Sequence, residues 1–315
     1  MKSATVCMIC SAARSGSTVL DLLIGGHSKA ASLGEFSFLG KAISLNQPCT
    51  CGEPVTTCPS WRRVFDEVKN THSVDLLRAP YALTQWDTKA STVVDKNYQT
   101  KTYLLKRKLR SAQSDVRYSQ AASSKLRLPL ARCLRLGVTN GFLLYDKVAE
   151  VWKKQVVIDS SKNVHKAIAF AEAEPSRTRV IYLTRDGRGV FHSRRTSGFS
   201  RKEASDGWRS YNLRAQRLLQ RNLPKDGLMH LRYEDLMADS TKLTGEICNF
   251  LGIDYEPAMI EIDPTKAHMV NGNDMRLRGK QELKLDERWR RELAGDELEW
   301  FLKHNQQLNE SLGYN

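Results

Sequence analysis

The sequence has 315 residues, enough to bury one large core, and we expect one domain spanning residues 1–315. It contains no run of 18 or more apolar residues and no pattern typical of a secretory signal, so we expect no membrane span and a cytoplasmic location. The formal net charge is +14, and the odd total of seven cysteines argues against a full disulfide framework.

The N-terminal stretch predicts an anion-binding turn. Residues 5–10 are apolar without polar alternation, which is typical of a parallel strand buried on both faces. A small-residue turn follows at residues 14–18, and residues 19–24 have helical character. Unpaired amides and the positive dipole end of a helix both attract anions, so we expect a phosphate or a close relative to bind there.

The turn differs from the ATP-binding loop G-x-x-x-x-G-K-[ST]. When the two are aligned on Gly16, Ser11 replaces the first glycine and Ser17 replaces the lysine. Arg14 supplies a cation from another position, and its fork suits a planar or tetrahedral oxyanion. A nucleotide kinase therefore remains only an alternative.

The same turn resembles the 5′-phosphosulfate loop of sulfotransferases that use 3′-phosphoadenosine 5′-phosphosulfate (PAPS), P-[KR]-S-G-[ST]-[ST], with Ala13 replacing the proline. The resemblance implies a P-loop-like three-layer α/β fold with a mainly parallel central sheet and helices on both sides. It also implies PAPS as cofactor, without a required metal. The phosphosulfate ligands that it implies are Arg14, Ser15, Gly16, Ser17 and Thr18.

Glu35 is the candidate base. It stands just before residues 36–42, which look helical. The alternative to a catalytic role is a carboxylate that stabilises this helix by its interaction with the helix dipole. In the tyrosylprotein and carbohydrate branches of the resembled family, a Gly-Glu at this distance supplies the group that takes the acceptor proton. The resemblance therefore implies this role for Glu35, and an attacking hydroxyl needs such a group.

Cys49, Cys51 and Cys58 form the only dense cysteine cluster. Three thiols could bind zinc, but no fourth ligand follows nearby and the spacing is unusual. A disulfide or buried thiols are the favoured interpretations, and no metal is predicted.

Residues 61–68 predict a short helix, and the polar residues 70–100 predict an irregular insertion over the site. The wider region 45–135 would shape the acceptor pocket.

The basic block of this region, residues 101–135, contains ten Lys or Arg and one acidic residue, Asp115. We interpret the block as a solvated helical face near an anionic cofactor, with nucleic-acid binding as the alternative. Residues 141–154 predict another helix.

Two later strands end in candidate ligands. Residues 154–162 predict a buried strand, after which the resemblance implies that Lys162 assists the transferring group; a solvent-facing lysine is the alternative. Residues 179–195 predict strand, turn and helix, and resemble the 3′-phosphate segment. Arg185 and Ser193 are the implied ligands, whereas Asp186 is expected to cap the helix or orient an arginine.

The C-terminal part supplies further candidates. Helix 201–222 and strand 227–231 precede an R-Y-E-D-L-like segment in which Tyr233 is expected to contact the nucleotide. Residues 243–252 resemble the family's next helix. The Gly/Asn-rich residues 268–280 predict a loop, and the resemblance implies that this loop folds over the adenosine with Arg276 and Arg278 as ligands. Residues 286–309 predict a closing helix.

Together these features predict transfer of a sulfuryl group from PAPS to a hydroxyl or amine of a small metabolite or sugar. The alternatives are a P-loop kinase or phosphotransferase, and a non-enzymatic anion- or nucleic-acid-binding protein that uses the basic block. We expect no nucleic-acid partner. The sequence does not identify the acceptor or the oligomeric state.

Overall fold

The computed structural model describes residues 3–83, 101–120, 127–130, 132–293 and 295–315. Its centre is a five-stranded sheet in which every neighbouring pair of strands is parallel. In chain order the strands are β1 (Thr5–Ser11), β2 (Ala30–Ser32), β3 (Val156–Asp159), β4 (Thr178–Thr184) and β5 (Leu228–Arg232). Their spatial order is β2-β3-β1-β4-β5, so β1 lies at the centre.

The described helices connect and flank these strands. They are α1 (Ser17–Gly25), α2 (Leu39–Ser44), α3 (Pro59–His72), α4 (Lys101–Ser119), α5 (Arg132–Trp152), α6 (Val164–Ala173), α7 (Gly187–Arg195), α8 (Arg201–Asn222), α9 (Tyr233–Ala238), α10 (Ser240–Leu251), α11 (Trp289–Glu292) and α12 (Asp296–Ser311). None of the described helices is both long enough and apolar enough to cross a bilayer.

Helices cover both faces of the sheet, and β1 shows why. Successive side chains of a strand point to opposite faces. Val6, Met8 and Cys10 belong to one apolar core, which includes residues of α3, α5, α6 and α8. Cys7 and Ile9 belong to a second core with residues of α1 and α10. This arrangement confirms the predicted three-layer α/β fold with a parallel sheet.

The predicted helical segments are present, with three differences. Residues 36–38 form a 3₁₀ turn before α2, and residues 141–152 continue α5, which begins at Arg132, so they are not a separate helix. Residues 286–309 were expected to form one helix, but the described chain there forms α11 and α12. Gly295 directly precedes α12 with φ 55°, a left-handed conformation that interrupts a regular helix. In the basic block, residues 101–119 and 132–135 are helical, as expected, whereas residues 121–126 and 131 lie outside the described residues. Of the predicted insertion at 70–100, residues 84–100 lie outside the described residues.

The fold brings several separate chain segments to one edge of the sheet. Because the strands are parallel, their carboxyl ends lie side by side, and ligands of open α/β sheets bind outside those ends. Arg14 follows β1, Lys162 follows β3, Arg185 follows β4, and Tyr233 follows β5. Residues predicted separately from four parts of the sequence therefore lie at the same edge.

Candidate active site

A cleft of about 710 Å³ opens at this edge, within the size range of ligand pockets. Ten of the twelve predicted site residues line it: Arg14, Gly16, Ser17, Thr18, Glu35, Lys162, Arg185, Ser193, Tyr233 and Arg278.

The turn between β1 and α1 depends on Gly16. This residue has φ +90°, and a Cβ added to it would lie 2.5 Å from Cδ2 of the Tyr233 ring. Only glycine satisfies both constraints without strain. The first amides of α1 have no acceptor within the helix, and Ser17, Thr18 and Val19 at its start line the cleft. The start of α1, with its unpaired N–H groups, therefore lies next to the ring of Tyr233.

Arg185 is a buried cation between two walls of the cleft. One guanidinium nitrogen donates to the carbonyl oxygen of Arg14 at 3.0 Å, and the other donates to the carbonyl oxygen of Asp286 at 2.8 Å. The same guanidinium lies 3.1 Å from the Asp286 carboxylate and 4.8 Å from the centre of the Tyr233 ring. Hydrogen bonds from Arg288, together with the charge of Arg185, hold the pKa of Asp286 well below its usual range. Arg185 is therefore oriented by contacts already present in the fold.

Glu35 and Lys162 meet in the cleft. The Lys162 ammonium donates to Oε1 of Glu35, and the Asn271 side-chain amide donates to Oε2 at 2.8 Å. Both carboxylate oxygens therefore accept hydrogen bonds from fixed donors. Lys162 has φ 61°, and its side chain turns to Glu35; the predicted alternative of a solvent-facing lysine does not describe this geometry.

Two predicted ligands do not line the cleft. Ser15 is 1% exposed, and its amide donates to the Ala12 carbonyl at 3.3 Å. Arg276 is 5% exposed, and its guanidinium donates to the Pro48 carbonyl at 2.8 Å. Arg276 therefore links its own loop to the loop that contains Pro48. Arg278, two residues later, does line the cleft.

Asp21 is a buried group behind the site that the sequence analysis missed. Its Oδ2 accepts hydrogen bonds from the Ser160 hydroxyl at 2.6 Å and the Gly34 amide at 3.1 Å. Oδ1 is buried without a hydrogen-bond partner among the described residues. Burial raises the pKa of Asp21 to about 7. Asp21 thereby links α1 to the residue before Glu35, but its position in an apolar helix gave no signal in the sequence.

Asp159 ends β3 but belongs to the interior. It forms an ion pair with Lys166 at 2.7 Å, and both side chains are 2% exposed. The Tyr145 hydroxyl donates to the same Asp159 carboxylate oxygen at 2.5 Å. Burial raises the pKa of Asp159, but the Lys166 ammonium and the hydrogen bonds outweigh it, so the pKa lies below its ordinary value. This carboxylate is used inside the fold and does not line the cleft.

Other parts of the site follow the sequence analysis or extend it. Asp186 caps α7 by accepting from the Arg188 amide at 2.9 Å and also binds the Arg188 side chain, as expected. Asn271 and Asp286 were not predicted. Asn271 lies in the predicted Gly/Asn-rich loop, and the composition of that loop was the signal that could have identified it. Asp286 appeared in the sequence analysis only as the start of a helix.

The comparisons with known proteins agree with this architecture. The model of the sulfotransferase family matches residues 7–257. The sulfotransferase domain from the Synechococcus PCC 7002 olefin synthase is 20% identical, with a TM-score of 0.52, and the alignment covers 100% of this chain and 97% of that domain. The sulfotransferase domain from the curacin biosynthetic pathway is 17% identical, with a TM-score of 0.51 and coverages of 100% and 99%. No curated protein sequence matches the chain.

At these identities the two structures support the fold alone, whereas the family model spans most of the chain. The matched range contains β1 from residue 7 onward, the other four strands, and the loop after β1 that carries Arg14 and Gly16. The chain therefore belongs to the sulfotransferase family.

Proposed function

We propose that this protein transfers a sulfuryl group from PAPS to a hydroxyl or amine of a small metabolite or sugar. The observation that carries the proposal is the meeting of three features in one cleft. These are the anion-binding turn at Gly16, the oriented cation of Arg185, and the paired Glu35 and Lys162. Sulfuryl transfer needs groups that bind each charged end of the donor and a group that accepts the proton of the nucleophile.

The residues present fit the two anionic ends of this donor. Around the turn, Arg14 and the first amides of α1 are suited to the phosphosulfate. Arg185 and Ser193, which follow β4, are the proposed ligands of the 3′-phosphate, and both line the same cleft. Tyr233 packs against Gly16 and Arg185, so it would contact the nucleotide between these ends. PAPS would supply the sulfuryl group already bonded to a good leaving group.

Glu35 and Lys162 divide the remaining work. Glu35 would accept the proton of the attacking hydroxyl or amine, because its carboxylate faces the cleft and is held by Lys162 and Asn271. The Lys162 ammonium would offset the negative charge that develops on the bridging oxygen as the bond to sulfur breaks. Fixed cations and the dipole of α1 would provide the charge stabilisation, without a required metal.

A P-loop kinase is less well supported. Such an enzyme holds Mg²⁺ with a carboxylate near the nucleotide phosphates. Asp159, the carboxylate that ends β3, is buried against Lys166 and does not line the cleft. We retain the region 45–135 as the proposed source of the acceptor pocket.

A comparison of ligands by thermal shift tests the proposal. 3′-Phosphoadenosine 5′-phosphate (PAP) at about 100 times its Kd should stabilise the folded chain by about 2.7 kcal/mol, visible as a rise of several degrees in Tm. Mg-ATP at the same concentration should give a much smaller rise. Stabilisation by Mg-ATP alone would rule out the sulfotransferase proposal in favour of a kinase.

A further inference from the structure

Four metal-ligating side chains converge away from the proposed active site. Cys49, Cys51 and Cys58 lie between α2 and α3, with Cys58 directly before α3. His268 reaches them from a loop 210 residues after Cys58. One ligand atom from each residue lies within 4.8 Å of the other three. The fourth ligand that the local sequence lacks is thus supplied from the C-terminal part of the chain.

The distances suit a tetrahedral metal site. For Zn–S bonds of about 2.3 Å and Zn–N bonds of about 2.0 Å, a tetrahedron places two sulfurs about 3.8 Å apart and a sulfur about 3.5 Å from a nitrogen. The Sγ atoms of Cys51 and Cys58 are 3.6 Å apart. Nδ1 of His268 lies 3.6 Å from Sγ of Cys49 and 3.5 Å from Sγ of Cys58. These three separations are close to the tetrahedral values, and the other pairs of ligand atoms lie within 4.8 Å of each other.

The surroundings of His268 prepare its Nδ1 to be a ligand. Its Nε2 lies 2.8 Å from the Ser60 hydroxyl oxygen. When Nε2–H donates to that oxygen, Nδ1 carries the free lone pair, and it faces the thiols. Metal-binding histidines are usually oriented by such a bond from the second ring nitrogen. The Trp61 indole donates to the His268 carbonyl at 2.9 Å and fixes the backbone as well.

We propose that Cys49, Cys51, Cys58 and His268 bind one Zn²⁺ as a structural site. Soft thiolates with one imidazole favour zinc over the oxygen-preferring Mg²⁺ and Ca²⁺. Four protein ligands fill a tetrahedron and leave no position for a substrate. Cys49 and Cys58 are fully buried, and none of the four residues lines the cleft. The site is therefore distinct from the proposed chemistry.

The zinc would fasten the loop that completes the cleft. Two residues after His268, the Val270 amide donates to the Leu33 carbonyl at 3.0 Å. The next residue, Asn271, donates to Glu35. A second bond runs from Arg276 to Pro48, directly before Cys49. A metal bound by the three cysteines and His268 would therefore fix the cysteine loop and the loop after His268 to each other.

Metal analysis of the full-length chain tests the proposal. Protein from zinc-supplemented medium, purified without an affinity tag or chelator, should contain about one zinc per chain. Cys49→Ser and His268→Gln should each lower the content to below about 0.2. The matched control is Cys248→Ser, because Cys248 is a buried thiol outside the cluster. Its zinc content should equal that of the wild type.

A measurement on the wild type alone guards against variants that do not fold. Stepwise modification of thiols with a mercurial reagent should release about one zinc as three thiols react, read with a metallochromic dye. A metal-free wild-type chain would overturn the proposal, as would iron in place of zinc or zinc that remains after the three thiols are modified. A Cys51–Cys58 disulfide found by mass spectrometry would also overturn it. None of these outcomes depends on sulfuryl transfer, so the function proposed above is tested separately.

Discussion

Lys162 and Glu35 are 127 residues apart in the chain, yet the ammonium of one donates to the carboxylate of the other in the cleft. The pair is 17% and 20% exposed, so solvent only partly screens it. Each residue lies three positions after the end of a strand, Lys162 after β3 and Glu35 after β2. Because β2 and β3 are paired in parallel, their ends deliver both side chains to one point.

Glu35→Gln should strongly reduce turnover and preserve binding of the donor. The amide keeps the shape of the side chain but takes up no proton, so the rate should fall about 10²- to 10⁴-fold. Transfer of a radiolabelled sulfuryl group from PAPS to a panel of phenols, alcohols and amines measures this loss, and PAP titration measures binding. Glu256→Gln is the control, since Glu256 binds Ser28 outside the cleft. An unchanged rate would assign the proton to another group.

Arg185→Ala should weaken binding of PAP about 10- to 100-fold, because hydrogen bonds to charged groups contribute about 1.5–3 kcal/mol. Adenosine 5′-phosphate lacks the 3′-phosphate and serves as the matched ligand. Its affinity should change little, as calorimetric titration of both nucleotides would reveal. Equal losses for the two nucleotides would mean that Arg185 shapes the cleft through Arg14 and Asp286 without holding the 3′-phosphate.

Gly16→Ala should lower both stability and PAP affinity. A side chain at φ +90° costs roughly 1 kcal/mol or more, and the new Cβ would displace the Tyr233 ring. We expect PAP binding to weaken at least about tenfold and Tm to fall by several degrees. Gly245→Ala in α10 is the control. It has open space around the added Cβ and should keep or raise Tm. PAP binding as tight as in the wild type would contradict the role of this turn.

Asp21→Asn should reduce the loss of stability that accompanies a rise in pH from 5 to 8. The folded-state pKa is about 7 and the ordinary value is 3.8, so the folded chain holds this proton more tightly than the unfolded chain. The contribution of Asp21 to stability is therefore fully present below about pH 4 and is lost as the pH rises through 7.

Between pH 5 and pH 8 the wild type should lose about 2–3 kcal/mol from this group. Urea unfolding at both values should show a correspondingly smaller difference for Asp21→Asn. Other titrating groups affect both proteins equally and cancel in this comparison. The same pH dependence in both proteins would contradict a perturbed Asp21.

Lys166→Met should destabilise the fold by about 3–5 kcal/mol, because it leaves the charge of Asp159 buried without its partner. Lys202→Met is the matched control. Lys202 pairs with Asp206 at the surface with 81% of its side chain exposed, so its loss should change stability by less than about 0.5 kcal/mol. Chemical denaturation of both variants gives the two free energies of unfolding. Similar values for them would show that the Asp159 pair is not stabilising.

Local patterns in the sequence determined most of the fold. The apolar run before Arg14 is β1, and the segments before Lys162, Arg185 and Tyr233 are β3, β4 and β5. Periodicity and turn residues act over a few positions, so they are readable without the rest of the chain. Because parallel strands place ligands at their carboxyl ends, the same patterns, together with the motifs of the resembled family, also gave ten of the residues that line the cleft.

Which side chains meet in the site depends on the three-dimensional path of the whole chain. Asn271 at Glu35, Asp286 at Arg185 and His268 at the three cysteines are contacts between distant segments. Arg276 and Arg278 have similar sequence neighbours, yet Arg276 binds the Pro48 carbonyl whereas Arg278 lines the cleft. Such pairings depend on loop paths set by packing across the whole domain, and no local propensity of the chain encodes them.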